Sequence, residues 1–174
     1  MRSATLTRYG GGSSGVPWLD EAGQDQVLVR RSRAAGLPPW LPDVHGLALG
    51  VPLPGARGDL LLASTGLGRL TRFTLTAARR AEQRPMTTLL PYRTASGPLL
   101  VGARSDGPDR HRLGWARGTG PWTEWADLVI HEGSGDADVV FDPVLQPLPG
   151  LAHYTWVNRL RAPAYRASRS RRES

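Results

Sequence analysis

The sequence predicts a mostly β protein of α+β character: an antiparallel barrel with a few helices, one of them at the C-terminal end. Three observations lead there. Six short segments are apolar and partly β-branched, with strand-like lengths and spacing. Glycine, proline and aspartate turn signals separate them. Only two segments, residues 69–84 and 156–172, read as helical.

Taken in order, residues 1–25 read as a flexible N-terminal lead-in, because Gly10-Gly11-Gly12 and Pro17 interrupt any periodic element. Residues 26–174 form the barrel domain with its C-terminal helix. The first strand spans residues 26–33, with Val27 and Val29 alternating against Leu28 and Arg30. Leu37-Pro38-Pro39-Trp40-Leu41-Pro42 is a connecting loop, since proline removes donors and fixes φ. A second strand covers 44–51. Residues 52–57 turn at Pro54-Gly55, and a third strand follows at 59–64. The continuous apolar run of the third strand predicts burial on both faces. Residues 69–84 predict a helix ended by Pro85. Strands at 98–104, 110–117 and 122–131 come next, with His111, Leu113 and Trp115 sharing one face.

The chain has 174 residues, enough for one domain that buries roughly 70% of its unfolded surface. It has no cysteine, which excludes disulfides and thiolate ligation. With no apolar run of about 18 residues, no membrane span is expected. The lead-in has no apolar signal core, so a cytoplasmic location is expected. The net charge is +7, and all 22 basic residues are arginine. They are scattered, apart from Arg166, Arg169, Arg171 and Arg172. That pattern suits a GC-rich genome and a solvated tail better than a nucleic-acid groove.

Three blocks carry more specific information. They are Val29-Arg30-Arg31-Ser32-Arg33-Ala34-Ala35-Gly36, Asp43-Val44-His45-Gly46-Leu47-Ala48 and Gly58-Asp59-Leu60-Leu61-Leu62. In order and approximate spacing they resemble the barrel signature of haem-dependent catalases. That signature runs Val-Arg-x-Ser-x-x-x-Gly, Asp-x-x-Gly-x-Ala, then a Trp-Asp-Leu-type strand. Near the end, Arg161-Ala162-Pro163-Ala164-Tyr165 places an arginine four residues before a tyrosine. The run Phe141-Asp142-Pro143, Leu148-Pro149-Gly150, Asn158-Arg159 and Tyr165-Arg166-Ala167-Ser168 is similar to the closing segment of short bacterial catalase-related proteins.

The resemblance implies haem b as cofactor. It implies Tyr165 as the proximal iron ligand, Arg161 as the charge partner that keeps the phenolate deprotonated, and Arg30 as a propionate contact. The alternative for Arg30 is an ion pair with Asp43 or Asp59, and for Tyr165 a packing role in the terminal helix. The distal side departs from the family. Thr7 falls near the place of the catalytic histidine, and Ala63-Ser64 replaces the distal asparagine pair. Ser32 stands where the family's serine supports that histidine. His45 stands where the family carries arginine. Imidazole titrates near neutral pH, so His45 would be the substitute acid–base group, with Ser32 and Ser64 beside it; otherwise it is a satisfied structural histidine.

Other patterns are weaker. Gly11-Gly12-Ser13-Ser14-Gly15 satisfies Gly-x-Ser-x-Gly but lacks the flanking strand and helix of a nucleophile elbow. The four histidines show no metal-ligand spacing, and Glu132, Asp136 and Asp138 read as a solvated acidic loop. Two function classes remain. The first is a haem-binding, peroxidase-like oxidoreductase acting on peroxide or organic hydroperoxides. The second is a non-catalytic barrel that binds a hydrophobic small molecule or serves as a scaffold. A homo-oligomer is compatible with either, and an arginine-driven polyanion binder is a third idea.

Overall fold

The computed structural model describes residues 1–34, 36, 38, 40–133, 141 and 146–154. Its frame is nine antiparallel strands: β1 (Arg2–Arg8), β2 (Gly23–Arg33), β3 (His45–Leu53), β4 (Ala56–Ser64), β5 (Met86–Thr87), β6 (Tyr92–Thr94), β7 (Gly97–Gly107), β8 (Arg110–Arg117) and β9 (Thr123–Ile130). The sheet order is β5-β4-β3-β2-β1-β9-β8-β7-β6, and β5 also pairs with β7. The ring therefore closes through eight strands, with β6 as an added strand on β7. Closure removes the sheet edges that would otherwise seek partners.

Side chains fill the interior. Leu6, Val27, Leu49, Leu60, Val101, Leu113 and Leu128 are buried members of one core cluster. Their period-2 spacing is what a barrel wall requires. Residues 59–64 follow the same alternation rather than the burial on both faces expected of them. Leu60 and Leu62 are buried, whereas Leu61 and Ala63 are only partly covered. The Pro54-Gly55 turn appears as expected. Proline presets the first dihedral and Gly55 takes φ +68° to reverse the chain.

Two further expectations are corrected. The flexible lead-in contains β1, which lies in the wall between β2 and β9. Ala4 and Leu6 face inward while Ser3, Thr5 and Thr7 alternate with them, a strand pattern written in small and polar residues. The rest of the lead-in seals one end of the barrel. Val16 and, from the short helix α1 (Pro17–Asp20) that follows it, Leu19 enter the core there, and Trp18 meets Trp125 edge-on at 5.3 Å. The Gly-Gly-Ser-Ser-Gly stretch is held by Asp20, which accepts the N–H groups of Ser14 and Gly15 at 2.8 and 2.9 Å.

Residues 69–84 do not form a helix. They contain only two 3₁₀ turns, Thr71–Phe73 and Ala81–Gln83. The stretch is claimed by tertiary bonds instead. Thr76 N–H donates to Ser64 O at 2.8 Å, and Asp43 and Ala78 exchange a pair of backbone bonds. Arg72 is 2% exposed and ties the stretch to carbonyls outside it. Its guanidinium donates to the oxygens of Leu67, Gly68, Gly118 and Gly120, and it lies over the Trp122 ring at 4.6 Å. From the β8–β9 turn, where Arg72 is anchored, the segment runs to the barrel end opposite α1, where Thr76 and Ala78 form a strap beside Ser64 and Asp43. The expected C-terminal helix, residues 156–172, lies outside the described residues.

Candidate functional site

The strapped end of the barrel gathers the inward polar groups of β2, β3, β4 and β8, so it is the candidate site. Two constellations occupy it.

The first is built on His45 and Ser64. The strand registers His45↔Arg33 and Gly46↔Ala63 set both side chains on the inner face at the mouth. Ser64 Oγ accepts the His45 N–H at 3.0 Å and donates to Thr76 O at 2.6 Å. His45 Nε2 stands 2.9 Å from Ala78 O, and the residue is 7% exposed. A carbonyl can only accept, so Nε2 carries the proton and donates. Both groups are thus spent on the strap's backbone.

Arg30 and Ser32 lie on the other face of the same wall. They belong to the outward set of β2, and both are exposed. Ser32 pairs with Gly46, and a β-carbon on Gly46 would come within 2.5 Å of Ser32 Oγ. Arg30 has no ion pair or hydrogen bond among the described residues. The expected pairing of Arg30 with Asp43 or Asp59 is not found. Asp43 meets Arg33 at 3.6 Å, and Asp59 meets Arg57 at 2.7 Å. One layer of sheet therefore divides Ser32 and Arg30 from His45 and Ser64, so Ser32 cannot support His45. Tyr165 and Arg161 lie outside the described residues.

The second constellation spans the mouth. Asp109, in the β7–β8 turn, receives Arg2 at 2.5 Å and Arg31 at 3.4 Å. Arg31 also donates to Pro108 O and lies 3.3 Å from His111 Nε2. His111 is 4% exposed. Burial first, then the positive charge of Arg31, pushes its pKa down to about 4, so it is neutral at pH 7. The hydrogen bond from Arg2 holds the Asp109 carboxyl below its ordinary value. Beside this group is a cleft of about 230 Å³ lined by Met1, Arg2, Val29, Arg30, Arg31 and Ile130. The inward face shared by His111, Leu113 and Trp115 was legible in the sequence. The partners Arg2, Arg31 and Asp109 were not, because they meet only through barrel closure.

Among the described residues no three His, Cys, Asp or Glu side chains stand close enough to hold a metal ion. No helix is long and apolar enough to cross a membrane. No protein-family model matches the chain, and no curated protein is significantly similar to it.

Proposed function

We propose that this chain is a non-catalytic member of the catalase-like barrel group, a binding scaffold rather than a peroxide-consuming enzyme. The observation that carries the reading is the bond from His45 Nε2 to Ala78 O, together with the commitment of Ser64 to the same strap. Splitting a peroxide O–O bond calls for a base that takes a proton and returns it to the leaving oxygen. His45, the histidine that the resemblance offers as a substitute for the distal group, is buried and engaged, and Ser32 and Arg30 face away from it. The described residues do not fit the distal half of a haem peroxidase site.

A haem-holding reading stays as the alternative, and a strand relationship favours it. The three catalase-like blocks fall on adjacent strands, and Ser32, Gly46 and Ala63 form one row across β2, β3 and β4. In that reading haem b is bound by Tyr165 as the iron ligand, with Arg161 beside it and Arg30 at a propionate. Peroxide or an organic hydroperoxide would be the substrate.

A hemin titration followed by absorption spectroscopy separates the two. The scaffold reading expects no stoichiometric Soret band. A saturating high-spin band that Tyr165→Phe abolishes would overturn it and restore the haem reading.

A further inference from the structure

We propose that the mouth of the barrel beside Arg30 is a binding site for a small phosphate-bearing anion. This gives the scaffold reading a ligand class, but it stands on its own geometry and is tested without haem.

The cleft of about 230 Å³ has the nearly buried Val29 and Ile130 at its floor and three arginines, Arg2, Arg30 and Arg31, around it. One carboxylate, Asp109, answers two of them. Arg30 is exposed and has no partner among the described residues. His111 nearby is neutral at pH 7 and adds no charge. Three guanidiniums, with the Met1 α-amino group also lining the cleft, stand against the single carboxylate of Asp109, so the cleft is positively charged. Two of its three guanidiniums are already oriented, Arg2 by His131 O and Asp109, and Arg31 by Pro108 O and Asp109.

Guanidinium forks match the tetrahedral oxygens of phosphate, and pre-oriented donors lose less freedom on binding. Proximity to Asp109 argues against a strand of nucleic acid, whose evenly spaced charges would meet that carboxylate. The cleft lies at the rim of the wall, where Arg30 of the outward set also lines it, so a single compact anion can seat there clear of the Asp109 group with Arg2 and Arg31.

The test is calorimetric titration of the whole chain with inorganic phosphate and with pyrophosphate at constant ionic strength. The comparison sets the wild type against Arg30→Gln and Arg93→Gln. Arg93 is exposed on β6 at the opposite end, so its variant removes the same charge elsewhere. Neither arginine side chain is a folding contact among the described residues. The expected result is saturable 1:1 binding by the wild type and Arg93→Gln, weakened about tenfold or more in Arg30→Gln, as loss of a charge-assisted bond predicts. Equal weakening in both variants, or no saturation in any, would overturn the site. A single-stranded oligonucleotide without terminal phosphate that competes with a steep salt dependence would also overturn it, in favour of a polyanion surface.

Discussion

His45 Nε2 lies 2.9 Å from the carbonyl oxygen of Ala78 and ties β3 to the strap that crosses the barrel mouth. Histidine at this position is therefore a strand-to-strap bolt. His45→Ala removes one of the two donors on the Ala78 carbonyl, leaving only the Asp43 N–H, and opens a void. It should lower stability by about 1–3 kcal/mol in urea denaturation. Hydrogen exchange at Thr76 and Ala78 should accelerate, since both N–H groups lie in the strap bonds that His45 supports.

Arg72 sets a second fastening. Its guanidinium serves four carbonyls and lies over Trp122, with no carboxylate paired to it among the described residues. Desolvation lowers its pKa, which fits a buried cation held by dipoles alone. Lysine keeps the charge but not the planar fork. Arg72→Lys should cost about 2–4 kcal/mol, read by denaturation and by a change in Trp122 fluorescence.

Gly102 and Gly114 are paired across β7 and β8, and Trp122 covers both, yet they should respond differently to alanine. A β-carbon on Gly102 would lie 2.9 and 3.0 Å from atoms of the Trp122 ring and 3.3 Å from Met86 O. On Gly114 the nearest atoms are at 3.4 and 3.5 Å. Gly102→Ala should displace the indole, break its 2.8 Å bond to Leu67 O, and cost about 1–3 kcal/mol. Gly114→Ala should stay within about 1 kcal/mol of wild type by thermal melting.

His111 predicts an acid-sensitive step. Its ordinary value of 6.5 falls to about 4 in the folded barrel, so the unfolded chain binds more protons between those values. Stability from this group is complete above about pH 6.5 and is lost as the pH falls to about 4, with a total of about 3 kcal/mol. His111→Gln should flatten that part of the pH–stability curve. The Asp109 carboxyl, held low by Arg2, contributes its own loss only at more acid pH.

Much of the barrel was legible because its strands obey a local rule. Residues 110–117 alternate, carry a turn at each end, and form β8 with those bounds. The strap was not legible. Residues 69–84 have helical composition, but partners outside the segment, Ser64, Asp43 and the carbonyls of Gly118 and Gly120, outbid the helix. β1 was missed because Ser3, Thr5 and Thr7 look like loop residues until β2 and β9 flank them. Sequence spacing grouped His45, Ser32 and Ser64 at one site. It could not say that a single wall places Ser32 on one face and the other two on the opposite one, since that depends on strand register.

The most direct measurement is the initial rate of peroxide consumption by the hemin-treated protein, wild type beside His45→Gln, with free hemin as reference. If His45 is a structural bolt and the barrel a scaffold, neither protein exceeds free hemin, and the two are indistinguishable. A wild-type rate well above free hemin that collapses in a folded His45→Gln variant would contradict the account and make His45 a catalytic base.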